Sequence, residues 1–231
     1  MRTLAIGLMM LMCAGAGQAQ LVNARRPYIR SSGEGVVSVR PDQATIGVGV
    51  ITQGLTAAAA TDANASKAQA ILDALRRLLG PNADIRTSSF SVSPNQRFPQ
   101  GGGVPEIVGY TATNQFRVVI GDTAIAGRVI DAATAAGANS VGGITFGVRD
   151  AVPLRQQALR LATQQARSNA EAIANGMSGR LGNVISAAES SVATSFPADR
   201  AGVAGAAVTT PVEAGNLEIR ASVTMEIEVL Q

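Results

Sequence analysis

Apolar and polar residues alternate with a period of two, give way to a 3.6-residue spacing, and then alternate again, several times along the chain. The stretch GEGVVSVRPDQATIGVGV, residues 33–50, predicts strands over 34–40 and 44–52. The turn between them is Arg40-Pro41-Asp42-Gln43, in which proline fixes φ and the aspartate can bond the turn backbone. On the second strand Ile46, Val48 and Val50 share one face, and Thr45, Gly47 and Gly49 the other. Ala68, Ile71, Leu72, Leu75, Leu78 and Leu79 recur at helical spacing, which predicts a helix over 55–79 stopped by Gly80-Pro81. A strand over 84–94 comes next, then a Pro/Gly-rich loop. The strand after it, 108–120, has Tyr110, Phe116, Val118 and Ile120 on one face, with Asn114 among them. Asp122 or Thr123 caps a short helix to Ala136, ended by Gly137. A strand over 141–148 leads to a helix over 153–177 whose stripe is Leu154, Ala158, Leu161, Ala162, Ala166, Ala170 and Ile173. A short strand over 182–188 is next. The last strand alternates most clearly: Leu217, Ile219, Ala221, Val223, Met225, Ile227 and Val229 against Glu218, Arg220, Ser222, Thr224, Glu226 and Glu228. At this length it spans about 40 Å, and its surplus is available to reach a partner subunit.

The element order is therefore ββα-ββα-βα-ββ. It predicts an α+β fold, a mostly antiparallel sheet with long helices packed on one face. The expected organisation is a signal peptide over 1–19, an irregular leader over 20–29, and one domain over 30–231 with flexible loops at 94–106 and 190–215. The signal reading rests on Arg2, the apolar run Leu4 to Met12 and the small residues Gly17 and Ala19 around a cleavage point after Ala19. That run is too short to span a bilayer, and no other segment is a candidate span. Cleavage removes Cys13, the one cysteine, and a mature chain without disulfides is expected to rely on its core alone.

Composition then narrows the chemistry. The chain has no histidine, which excludes His-based acid/base work, His-assisted triads and His metal sites. Loss of Arg2 leaves 18 basic and 16 acidic residues, a net charge of +2, with the arginines scattered. No basic stripe with interleaved aromatics appears, so nucleic-acid binding is not expected. Gly33-x-Gly35 invites a phosphate-loop reading. Such a loop needs a helix directly after it, and here a strand takes that place. These glycines are expected in a sheet, where another backbone or helix packs close. Glu226 and Glu228 pair on one strand face, but Glu218 continues the same stripe, which reads as a solvated face. Asp131, Asp150 and Glu171 stand isolated in sequence. Of the six methionines only Met177 and Met225 survive cleavage, both on apolar stripes, so oxidant scavenging is not expected. No catalytic, cofactor-binding or metal-binding residue is assigned, no cofactor is expected, and the chain is read as a non-enzyme.

Several patterns together resemble SIMPL-domain proteins: Gly33-Glu34-Gly35, then Val39-x-Pro41-Asp42-x-Ala44; Val108-Gly109-Tyr110-x-Ala112-x-Asn114; and Pro211-Val212-Glu213-Ala214-Gly215 before the closing strand. The similarity runs from about Arg30 to Leu230. It implies an exported protein of the Gram-negative periplasm, with peripheral outer-membrane association as a further expectation. Some members are immunoreactive envelope antigens, members can assemble into large homo-oligomers, and roles in oxidative-stress tolerance have been proposed. The family brings no agreed catalytic residues. The functional expectation is a non-enzymatic envelope protein that forms a homo-oligomer. The alternative is a periplasmic stress-protection module, or one that binds a small ligand or client. Asn114 and Asn169 are the polar intrusions that favour this alternative. The ligand itself is not identified by the sequence.

Overall fold

The computed structural model describes residues 27–195, 212 and 214–231. Among these the chain forms β1 (Tyr28–Val39), β2 (Gln43–Gly54), α1 (Ala57–Leu79), β3 (Asp84–Arg97) and β4 (Glu106–Ile120). A 3-10 turn at Thr123–Ile125 leads into α2 (Ala126–Ala135), succeeded by β5 (Ser140–Gly147), α3 (Val152–Gly176), β6 (Arg180–Ser195) and β7 (Leu217–Leu230). The α+β order read from the pattern is the observed order, and every strand pairing is antiparallel. The strands divide into two sheets, β1-β7-β6 and β3-β4-β2-β5.

Local signals set most boundaries. Thr56 begins α1, its hydroxyl accepting from the Ala59 N–H at 3.1 Å, and Gly80 ends it at φ 93°. The Asp122 carboxylate accepts from the Ala124 N–H, and Gly137 ends α2 at φ 105°. Several strands outrun their predicted limits. β1 starts at Tyr28, inside the expected leader. β3 continues to Arg97 and β4 begins at Glu106, so the Pro/Gly loop shrinks to 98–105. Pro94 does not break β3, because an edge strand can spare an N–H. β6 runs through Ser195, past the expected 182–188 and into the expected 190–215 loop. The rest of that loop, 196–211 and 213, lies outside the described residues, as do the signal peptide and residues 20–26.

Each sheet has its own core. Under α1 and α2, the four-stranded sheet buries Ile46, Val48, Val50, Ile71, Leu75, Phe116, Val118 and Val129. Against α3, the three-stranded sheet buries Ile29, Ile219, Ala221, Val223, Met225 and Ile227. Here the buried residues of α3 are all alanine: Ala158, Ala162, Ala166, Ala170 and Ala174, one per turn. The reason lies across from them. A Cβ on Gly33 would come within 2.9 Å of the Gln165 carbonyl carbon, and one on Gly35 within 2.7 Å of the Ala162 nitrogen, with other helix-backbone atoms closer still. The helix backbone rests directly on glycines of β1, a spacing that admits nothing larger than a methyl group between them.

Three expectations are corrected. Leu161 and Ile173 were placed in the buried stripe; they are 40% and 45% exposed, pushed to the flanks by that close contact. Met177 likewise stands exposed, while Met225 is buried. β7 has no unpaired surplus of backbone. It is the central strand of its sheet, paired with β1 on one side and β6 on the other, so its backbone is occupied.

Candidate functional site

Gly33-x-Gly35 has no role as an anion loop. Ser31 and Asn169 complete the docking of α3 around it: the Ser31 hydroxyl donates to the Ala166 carbonyl at 2.8 Å, and the Asn169 amide donates to the Ser32 carbonyl at 2.9 Å. Asn169, a candidate ligand contact in the sequence, is thus a structural clasp, with Gln165 donating to its oxygen.

The acidic stripe of β7 is largely taken up by neighbouring side chains. Arg30 donates to Glu226 through Nε at 3.0 Å, and Ser186 donates to the other oxygen at 3.0 Å. That Arg30 hydrogen bond first, and then the charge of Glu226, raise the Arg30 guanidinium pKa above its ordinary range. Arg220 donates to Glu218, and Glu228 is buried beside Gly182. The stripe is therefore a paired, partly covered face. Asp150 accepts from the Val152 N–H at the start of α3, Asp131 lies on α2, and Glu171 is exposed on α3. Among the described residues no three His, Cys, Asp or Glu side chains gather as a metal site would require.

Asn114 does fall on the core face of β4, and the sequence pattern did not single out its neighbour Asn64. Asn64 is fully buried on α1 and donates to the Val50 carbonyl at 3.1 Å and the Ala112 carbonyl at 3.0 Å. It bolts the helix to two strands. The Oδ1 atoms of Asn64 and Asn114 are buried without a hydrogen-bond partner among the described residues. The signal for Asn64 was present in the sequence: it interrupts the four-residue spacing of Ala60 and Ala68.

One cleft, about 500 Å³, opens at an end of the four-stranded sheet. Leu79, Ile120 and Ile125 give it an apolar floor, and Gln43, Asn82, Asp84 and Arg149 a polar rim. Asp84 is engaged by Arg86 at 2.7 Å, and the Arg149 guanidinium lies against Gly121. The cleft offers a cation and an already paired carboxylate, which suits holding an anion better than moving a proton.

The other unusual surface is strand edge. β3 and β6 terminate their sheets. β3 is exposed on both faces from Arg86 to Arg97 except at Asn95, and β6 from Asn183 to Ser190. Phe90 (53%) and Val92 stand open on β3, Val184 and Ile185 on β6, and Phe98 and Val104 at the tip of the β3–β4 hairpin. No helix among the described residues is long and apolar enough to cross a membrane.

A family model described as SIMPL, protein of unknown function (DUF541), matches residues 29–227. The chain is 25% identical over 164 residues to the 26 kDa periplasmic immunogenic protein of Brucella melitensis biotype 1, covering 70% of this chain and 66% of the relative. It is 27% identical over 160 residues to the "Uncharacterized protein YggE" of Edwardsiella ictaluri, covering 69% and 66%. With the protein of that name in Escherichia coli K12 it shares 25% over 160 residues, covering 69% and 64%. The matches thus span just under two thirds of these relatives' lengths. The family match takes in the glycine-bearing first strand, both sheets and nearly all of the closing strand, and the chain belongs to the SIMPL family.

Proposed function

We propose that this protein is exported to the periplasm and works there by self-association into a homo-oligomer rather than by catalysis. The observation that carries this is the pair of long edge strands, β3 and β6, exposed on both faces and bearing Phe90, Val92, Val184 and Ile185. An open edge with apolar side chains is a template for another strand, and soluble monomers usually shorten, charge or cover it. The name of the Brucella relatives supports the compartment. The test is native mass by light scattering over a concentration series. A defined multiple of the chain mass supports the reading, and a monomer at every concentration overturns it.

The Arg149 cleft favours a second reading, a module for a small ligand with an anionic group and an apolar body. Thermal stabilisation by short-chain carboxylates or phosphates that disappears in Arg149→Ala supports it. Equal stabilisation of both proteins removes it.

A further inference from the structure

Among the described residues four strand edges end the two sheets, and β3 offers the least interrupted open one. The outer edge of β1 is clasped by α3, with Asn169 occupying the Ser32 carbonyl. Pairing of β6 with β7 shifts register at three places, between Leu181 and Val184, Val184 and Ser186, and Glu189 and Ser191, which breaks the edge across its exposed part. β5 is eight residues long and meets β2 with a bulge at Gly47/Val48. β3 has its longer regular stretch in its second half. A register shift between Thr87 and Ser89 ends it on one side, and Pro94, without an N–H, on the other. The five residues between, Ser89 to Ser93, read Ser-Phe-Ser-Val-Ser and are centred on Ser91.

Their side chains call for a cover. Phe90 and Val92 lie opposite Asn114 and Ala112 and so share the face that carries the core. Ile85, at the other end of β3, joins that core, whereas Phe90 is 53% and Val92 36% exposed. The helices leave this shelf open.

Resting on the self-association reading, we propose that β3 is the associating edge, and that two copies pair it antiparallel about a two-fold axis at Ser91. A two-fold axis normal to the sheet keeps each face on its own side, so opposed residues must share a face. With Ser91 on the axis, Phe90 of each copy sits opposite Val92 of the other, an aromatic against a β-branched residue, twice. Both shelves close over the axis, and the exposed apolar side chains cover one another. Charge selects the direction. Parallel pairing would stack Arg86 on Arg86 and Arg97 on Arg97. Antiparallel pairing parts both like pairs and sets Arg97 opposite Ile85 of the other copy, beside its Asp84–Arg86 ion pair.

The register is tested by cross-linking in a Cys13→Ser background. Ser91→Cys places two thiols directly opposite, at a Cα separation of about 4.5–5.5 Å that a disulfide spans. Ser89→Cys sets its two copies four positions apart, roughly 13 Å. The expected result on a non-reducing gel, after mild copper–phenanthroline oxidation, is a linked dimer for Ser91→Cys at least 10-fold more abundant than for Ser89→Cys. Val92→Lys, at an exposed edge position, is expected to weaken association at least 10-fold by light scattering while the circular dichroism spectrum stays unchanged. If wild type associates but Val92→Lys has the same mass and Ser91→Cys does not link, the β3 edge is overturned and self-association stands. Equal linking of both cysteine variants overturns the register. A wild type that stays monomeric overturns both readings.

Discussion

Substituting Gly33 or Gly35 by alanine asks whether the α3 backbone truly rests on β1. On its own, replacing a strand glycine by alanine stabilises by about 0.5–1 kcal/mol, because less backbone entropy is lost on folding. At these two positions the added carbon meets helix backbone. The new Cβ would stand within 2.9 Å of Gln165 at position 33 and 2.7 Å of Ala162 at position 35, where ordinary contacts lie at 3.4–4 Å. Backbone cannot swing away as a long side chain can, so the helix must rise by roughly 1 Å and loosen its five-alanine seam. Overpacking of this kind costs about 1–3 kcal/mol, and contact with backbone puts it at the upper end. The net expectation is a loss of about 2 kcal/mol for either variant. A protein of this size then melts about 4–8 °C lower. The double variant should fall short of twice that, since one helix displacement serves both sites. The assay is a calorimetric melt, paired with hydrogen exchange, in which α3 amides exchange faster and α1 amides do not. Gly147→Ala is the control: nothing lies within 4 Å of its added carbon, so the change should be neutral to a gain of about 1 kcal/mol. A melting temperature for Gly33→Ala or Gly35→Ala that equals or exceeds wild type would refute the close-approach argument.

Asn64→Ala removes the donor to two buried carbonyls, and about 2–4 kcal/mol should be lost in a denaturant titration. Asn64→Asp should turn stability into a function of pH. Burial beside two carbonyls favours the neutral acid, so the folded protein binds more protons than the unfolded chain above pH ~4, and stability falls by up to about 1.4 kcal/mol per pH unit as pH rises. A flat profile for this variant would mean that position 64 is not dry. Wild type, with no histidine, should by contrast melt at a nearly constant temperature from about pH 6 to 9, measured by differential scanning calorimetry. Asn169→Ala frees the Ser32 carbonyl while leaving the alanine seam in place, so the expected loss is about 1 kcal/mol in the same titration.

The order of elements was legible because each depends on neighbours in sequence. Period-two alternation gives β7, four-residue alanine spacing gives α3, and Thr56 and Gly80 bound α1 through local hydrogen bonds and a positive φ. Even the meaning of Gly33-x-Gly35 was accessible, since a strand rather than a helix comes directly after it. Adjacency was beyond the reach of sequence. Nothing local says that β7 lies between β1 and β6, yet this decides that its long backbone is consumed inside one chain. Nothing in the spacing of Leu161 and Ile173 says that the opposing strand carries glycines, yet that approach turns both residues outward. Asn64 and Asn169 look alike as polar breaks in helical stripes. One is fully buried and bonded to two strands, the other clasps a sheet edge, and only the packed partner distinguishes them. The open shelf on β3 is of the same kind. Phe90 and Val92 alternate like any core residues, and they are exposed because α1 packs mainly over β2 and β4, away from the β3 edge. Local chemistry determined the elements, and the composition excluded histidine catalysis. Which edges and faces remain for a partner was decided by long-range pairing, because burial belongs to two surfaces and the sequence pattern describes only one.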